Sequence, residues 1–311
     1  MSHNLACPLD GTPLSRSEKA LICTNGHGFD LARQGYVNLF PVQHKKTRDP
    51  GDSKEMVSAR SRFLASGAYA PIAETLDQLA LPLIQYTKEY RVLDAGCGEG
   101  YYLEHLYRSL SKNDKDMPVS LMGLDVSKWA ILAAAKRDGA ITWVVGSNKI
   151  PPLLPDSVDL IICAFGFPYF DSFKKVLRPG GRLILADAGP DHLMELRQVI
   201  YPTVKKTPPP EISGAEALGF CLEETRILRY STGAINQEQI MDLLTMTPHL
   251  YRATQEGKEA AKNLEHLDLT VDVVIRTLKL AEELESEVEP EPEPEPVKFN
   301  PWGKSAARRQ E

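Results

Sequence analysis

Residues Val92–Tyr102 read Val-Leu-Asp-Ala-Gly-Cys-Gly-Glu-Gly-Tyr-Tyr, an apolar run that stops in three alternating glycines. A strand that ends this way has to turn tightly. Without Cβ atoms, Gly96, Gly98 and Gly100 let the backbone take positive φ and lie flat against a ligand. The spacing is G-x-G-x-G after Leu93-Asp94, not the G-x-G-x-x-G that opens the helix of a dinucleotide site. A second apolar run, Leu121-Met-Gly-Leu-Asp125, also ends in a carboxylate. Doubly wound folds hold a ribose diol at that place, which makes Asp125 the candidate ribose ligand.

The surrounding pattern supplies the strand-turn-helix context that such a motif needs. Between Tyr90 and Asp187, predicted strands at Arg91–Ala95, Ser120–Asp125, Ile141–Val145, Val158–Cys163 and Arg182–Ala186 alternate with helical stretches after Gly100, at Lys128–Arg137 and at Ser172–Leu177. Alternation of this kind means βαβ units and a mostly parallel sheet. Arg178-Pro-Gly-Gly181 reads as a turn feeding the next strand, and Tyr201–Gly214 as a proline-rich loop near the site. Leu267–Val273 alternates apolar and polar residues, the mark of a half-buried strand placed late and antiparallel in the sheet.

Glycine-rich strand ends occur in many α/β proteins, so the motif is weighed with its neighbours. With Asp94, Glu99 and Asp125 in register, the stretch resembles motif I of class I S-adenosylmethionine (SAM) methyltransferases. That resemblance implies SAM rather than NAD as cofactor, held by Asp94, Gly96, Gly98, Glu99, Gly100 and Asp125. Arg178–Gly181 also resembles the Pro-Gly-Gly that precedes the fifth strand of many of these enzymes.

No stretch approaches the roughly 20 apolar residues that a spanning helix needs. The start, Met-Ser-His-Asn-Leu, lacks the pattern of a signal peptide, so a cytoplasmic protein is expected. Five scattered cysteines argue for reduced thiols and against a disulfide framework. Most of the net charge of −6 resides in the tail: nine acids and four bases lie in 282–311, leaving 33 acids and 32 bases in 1–281. Within 41–62, six bases (Lys45, Lys46, Arg48, Lys54, Arg60, Arg62) meet three acids, an excess suited to a phosphate backbone. The Glu-Pro repeat after Ala281 buries too little apolar surface to fold and is expected to be extended.

Residues 1–40 are rich in turn formers and carry Cys7, Cys23 and His27, so a small β-rich module is expected. Two readings are open for it. Asp10, which stands where a C-x2-C pattern would have its second cysteine, completes a four-ligand zinc site, since zinc accepts a carboxylate oxygen. Alternatively, the cysteines are only small buried residues in a module that folds without metal.

Several stretches together resemble the bacterial 23S rRNA guanine-N1 methyltransferases of the RlmA family. They include Cys-Pro-Leu at 7–9, Cys23 with His27 and Phe29-Asp30, Gly35–Leu39, Pro41–Lys45, Arg48–Ser53, and Phe63-Leu64 with Gly67, Tyr69 and Pro71. The resemblance continues through Gly96–Tyr102, Leu124–Lys128, Gly189-Pro190 with His192–Leu196, and Met246–Pro248. It implies a class I SAM-dependent methyltransferase, with a Rossmann-like sheet, preceded by a zinc-ribbon-like module. The expected division is 1–40 for that module, 41–82 for a basic linker with helices, 83–281 for the SAM-binding domain and 282–311 for the acidic tail. It further implies zinc on Cys7, Cys23 and His27 with Asp10 fourth, Tyr69 and His192 as added cofactor contacts, and a homodimer. Asp10, in place of a family cysteine, leaves open whether the metal is kept.

The implied reaction is methylation of N1 of a specific guanine in a hairpin loop of 23S rRNA. Guanine N1 lies on the Watson–Crick edge and must be presented by a loop or a flipped base. It also carries a proton that a carboxylate, a histidine or water has to take, and Asp187, Asp191 and Glu195 are the candidates. The aromatic run Ala164-Phe-Gly-Phe-Pro-Tyr-Phe170 suits base stacking or the core equally. Lys45, Lys46 and Arg48, with Arg60 and Arg62, are candidate phosphate contacts. Two other functions fit the motifs: a SAM-dependent enzyme for a small molecule, and a non-catalytic rRNA-binding assembly factor. The candidate metal-binding module and basic linker weigh against the first, and intact Asp94, Asp125 and glycines against the second.

Overall fold

The computed structural model describes residues 4–44, 47, 49–85, 89–113 and 118–282; Lys45, Lys46, Arg48 and the Glu-Pro tail after Glu282 lie outside them. The N-terminal stretch forms β1 (Leu14–Ser17), β2 (Ala20–Cys23) and β3 (Gly28–Asp30), an antiparallel three-stranded sheet. The rest of the chain supplies β4 (Val37–Asn38), β5 (Tyr90–Ala95), β6 (Val119–Asp125), β7 (Thr142–Val145), β8 (Val158–Ala164), β9 (Leu177–Ala188), β10 (Phe220–Asn236) and β11 (His266–Leu280). These form one eight-stranded sheet in the order β10-β11-β9-β8-β5-β6-β7-β4. Strands β4 to β9 run parallel, and β11 and β10 close one edge antiparallel.

The central strands are the most apolar. Leu160, Ile161, Ile162 and Cys163 of β8 are all buried, as expected where helices or loops cover both faces of a parallel sheet. Alternate residues serve two cores. Val92, Leu160, Ile162 and Ile184 pack with the helices Lys54–Ala65, Ala70–Ala80, Tyr101–Asn113 and Gln237–Met246. Leu93, Met122, Leu124, Val144 and Ile161 pack on the other face with Leu5, Cys7, Leu14, Leu21, Val37 and Leu39. The N-terminal module thus shares a core with the sheet, and β4 extends the sheet beside β7 through Val37 opposite Val144 and Asn38 opposite Val145. The backbone of Ala6 also donates to Pro152 O at 2.9 Å, and Leu154 N donates to Asn4 O at 2.9 Å.

The chain runs outward from β5 through β6 to β7, then returns to β8 and β9 on the other side. The reversal places a crevice at the C-terminal ends of β5 and β8, where open α/β sheets hold their ligands. Two differences from the sequence expectations have clear causes. Leu267–Val273 is half of β11, and its partner β10 was not foreseen. In β10 only Phe220 and Ile235 are buried, while Glu223, Glu224, Arg226 and Arg229 decorate an edge and hide its strand character. Arg178–Gly181 is a bulged excursion inside β9: Leu177 pairs with Val158, and pairing resumes at Arg182 opposite Leu160.

Candidate functional site

The glycine turn is held open by backbone geometry that only glycine adopts without strain. Gly96, Gly98 and Gly100 have φ of 87°, 56° and 84°. Gly96 N and Cys97 N both donate to Leu124 O, at 2.7 and 3.1 Å, fastening the turn to the end of β6. A Cβ at Gly100 would lie 2.5 Å from Cη2 of Trp143, so the close approach alone excludes a side chain there.

Three carboxylates crowd this turn. Asp94 is 1% exposed and Glu99 2%. Asp94 Oδ2 and Glu99 Oε1 are buried with no hydrogen-bond partner. Burial, reinforced by the charges of Asp125 and Glu99, pushes the Asp94 carboxyl up to about 8. Burial also raises Glu99, opposed by Arg60. Asp125 accepts from Gly98 N at 3.0 Å and Ser127 N at 2.7 Å, which fixes its carboxylate at the mouth of the turn. Buried acceptors without donors are costly, and these are offset when a ligand brings cationic or N–H and O–H donors. SAM carries a sulfonium, an ammonium and a ribose diol, so the residues fit it.

A second group closes over the crevice. His192 Nδ1 accepts from Asp272 N at 3.3 Å, and its Nε2 lies 3.1 Å from Tyr69 Oη. Burial holds this imidazole down at about 4, so it is neutral near pH 7. A neutral ring that accepts at Nδ1 carries its proton on Nε2 and donates to Tyr69. Phe165 stacks on both rings, with centroids 6.3 Å from Tyr69 and 5.8 Å from His192. Phe165 and Leu193, beside His192, both sit at φ 54°. Left-handed backbone at bulky residues costs about 1–3 kcal/mol each and gathers where a site over-determines it. Phe165, Phe167 and Tyr169 on the same loop are 39%, 82% and 42% exposed.

The structure therefore gathers Tyr69, Asp94, Gly96, Gly98, Glu99, Gly100, Asp125 and His192 around the glycine turn and the neighbouring Phe165 loop. It also adds residues the sequence reading missed. Asp272 orients His192, and its carboxylate accepts from Asp191 N at 2.9 Å; nothing in an alternating strand marks such a residue. Asn148 lies over the turn, its Nδ2 3.5 Å from where a Cβ on Gly96 would stand.

The three candidate bases are placed differently. Glu195 accepts from Thr270 N at 2.8 Å and Thr270 Oγ1 at 2.6 Å, clamping its helix to β11. Asp191 pairs with Lys206 at 2.6 Å and Arg229 at 2.9 Å, which hold it below the usual carboxylate range. Asp187 pairs with Arg276 at 2.6 Å. It alternates with Ala186, which belongs to the same core cluster as Tyr69, so its side chain projects from the opposite face of β9.

In the N-terminal module, Cys7 Sγ and Cys23 Sγ lie 3.5 and 3.4 Å from His27 Nδ1. Asp10 Oδ2 lies 3.0 Å from the same nitrogen and 3.6 Å from Cys23 Sγ. All four ligand atoms fall within 4.8 Å of one another. Tetrahedral zinc with bonds of about 2.0–2.3 Å requires ligand separations of roughly 3.3–3.8 Å, which this set nearly meets. Thr12 holds Asp10 Oδ1 through its N at 3.0 Å and Oγ1 at 2.6 Å, leaving Oδ2 turned to the cluster. The donor set fits zinc.

Two of the five phosphate-contact candidates are held in ion pairs. Arg60 is largely buried and gives its guanidinium to Asp52 and to Met246 O. Arg62 forks onto both oxygens of Asp242, joining two helices. Lys45, Lys46 and Arg48 lie outside the described residues.

Comparison with known proteins bears on both halves. The family described as RlmA, N-terminal, matches residues 5–48, and a methyltransferase domain family matches residues 92–181. A Bacillus subtilis protein provisionally named as a 23S rRNA (guanine-N(1)-)-methyltransferase is 30% identical over 274 residues, 86% of this chain and 94% of its own. The 23S rRNA (guanine(748)-N(1))-methyltransferase of Streptomyces fradiae is 34% identical over 193 residues, covering 62% of this chain and 66% of its own. A malonyl-[acyl-carrier protein] O-methyltransferase of Enterobacter lignolyticus is 29% identical over 143 residues, 44% of this chain and 54% of its own.

Proposed function

Since the chain belongs to the 23S rRNA (guanine-N1-)-methyltransferases of the RlmA family, we propose that its crevice and its N-terminal module divide one reaction between donor and acceptor. The enzyme transfers a methyl group from SAM to N1 of a guanine in 23S rRNA. Two buried, partnerless carboxylate oxygens, on Asp94 and Glu99, carry the cofactor half of this reading. The alignment to the Bacillus relative across 86% of the chain, with a matched N-terminal segment, favours it over a small-molecule enzyme.

When bound, SAM supplies an electrophilic methyl on a sulfonium. Asp94 and Glu99 would meet its cationic and N–H groups, Asp125 would meet its ribose diol, and the backbone of Gly96–Gly100 would allow its flat approach. Tyr69, with its hydroxyl held by His192, walls the pocket. Displacement at the methyl needs the acceptor nitrogen in line, so positioning supplies a large share of the rate. The exposed Phe167, next to the strained Phe165, receives the guanine face, as aromatic side chains receive unstacked RNA bases.

The N1 proton leaves to water in this proposal. Asp191 and Glu195 are engaged in pairs that lower their basicity, and Asp187 projects from the other face of β9. Lys45, Lys46 and Arg48 contact rRNA phosphates, and the zinc-held module docks the hairpin loop. A homodimer acting in the cytoplasm belongs to the same proposal; no helix among the described residues is long and apolar enough to cross a membrane. Mass mapping of 23S rRNA from cells with and without the gene tests the function: loss of a single N1-methylguanine supports it, and an unchanged map rejects it.

A further inference from the structure

Arg60 comes from the linker helix Lys54–Ala65, yet it serves the glycine turn. A Cβ at Gly98 would lie 3.5 Å from its Nη1. Burial works against the guanidinium, but Asp52, Glu99 and Asp125 outweigh it and hold the charge firmly in place. Asp94 and Glu99 are buried beside the turn and Asp125 is half-buried, and Arg60, 23% exposed, faces the charges of Glu99 and Asp125. Arg137 also faces Glu99, and it reaches the linker helix through Ser61 Oγ at 3.0 Å.

The segment before the helix is fastened to the second cofactor loop. Ser127 Oγ donates to Asp52 O at 2.7 Å. Gly51, at φ 81°, presses so close that a Cβ would lie 2.9 Å from Val126 Cγ1 and from Ser127 N. Arg60 Nη2 meanwhile reaches Met246 O at 3.0 Å. Residues 51–60 are thus bonded to Ser127 after β6 and to Met246 O, and Arg60 lies against the Gly98 turn that follows β5.

We propose that Arg60 is a positioning residue for the cofactor, holding the Gly98 turn and Glu99 from the linker, so that SAM binding and docking of residues 51–60 form one coupled event. This rests on the reading of the turn as the SAM site. The linker continues from the matched N-terminal segment, so cofactor binding also steadies the connection to the rRNA-docking module. Coupling of this kind is reciprocal: whatever the linker does for SAM affinity, SAM does for linker order.

Calorimetry with SAM on the full chain tests it, using Arg60→Gln, Arg60→Lys and Asp52→Asn, with Asp94→Ala as reference. Arg60→Gln weakens SAM about tenfold, a typical coupling, Arg60→Lys recovers part of the loss, and KM for SAM rises while KM for 23S rRNA holds. A folded Arg60→Gln enzyme with unchanged SAM affinity overturns the proposal, provided Asp94→Ala has lost binding. If Asp94→Ala binds normally too, the cofactor-site reading itself has failed. Hydrogen exchange on the unmodified protein decides the matter should Arg60→Gln not fold. Amides of 51–60 slow with saturating SAM if the coupling exists, and unchanged exchange there refutes it.

Discussion

The Nε2 of His192 lies 3.1 Å from the hydroxyl of Tyr69, joining residues 123 positions apart. Tyr69 caps the start of the helix Ala70–Ala80, and His192 follows β9, so the pair ties the helical layer to the sheet. Replacing Tyr69 by Phe leaves the buried Nε2–H unpaired, at a cost of about 1–3 kcal/mol. Thermal unfolding and SAM titration should show both lower stability and weaker binding.

The same pair sets a pH dependence. His192 is held at about 4 when folded, against 6.5 for the free side chain. Between those values the unfolded chain binds more protons, so stability falls as pH drops from about 6.5 towards 4. Denaturant midpoints measured across that range should fall less in His192→Gln than in the parent. Equal slopes would show that other groups control the acid limb.

Asp94 is shifted in the opposite direction. Its folded value of about 8 means that the carboxyl is largely protonated at pH 7 before SAM arrives. Binding a cationic group favours the carboxylate, so SAM uptake should release a proton and tighten as pH rises towards 8. Calorimetry in buffers of different ionisation heat measures the release. No buffer dependence would mean that Asp94 is already ionised.

Gly100→Ala places a methyl against Trp143 at a positive φ. Overpacking costs roughly 1–3 kcal/mol, and left-handed strain adds to it. The unfolding midpoint should drop accordingly, and SAM binding should weaken as the turn shifts.

Phe167 is 82% exposed and makes no contribution to the core. Phe167→Ala should leave stability and SAM affinity unchanged while lowering methylation of 23S rRNA, since stacking one base is worth about 1–3 kcal/mol. Normal turnover would move the guanine elsewhere.

In the metal module, Asp10→Ala should lose zinc and Asp10→Cys should hold it more tightly, because thiolate is a favoured zinc ligand. Zinc content per chain after gel filtration against a chelator reads both.

The sheet from β5 to β9 was legible because its strands are buried on both faces and read as plain apolar runs, and the glycine turn announced itself by spacing. Edge strand β10 was not, since exposed Glu and Arg mask its register. Asp272 and Asn148 act through contacts distant in sequence, and no local pattern encodes them. Composition counts the charges of Arg60 and Arg62 and cannot see that Arg60 pairs with Asp52 or that Arg62, 56% exposed, pairs with Asp242 across the fold.

The most direct measurement is mass mapping of 23S rRNA after incubation with the purified enzyme and methyl-labelled SAM, beside an Asp94→Ala control. The account predicts label on N1 of one guanine in a hairpin loop and none with the control. Label at another atom, or none on rRNA from an active enzyme, would contradict it.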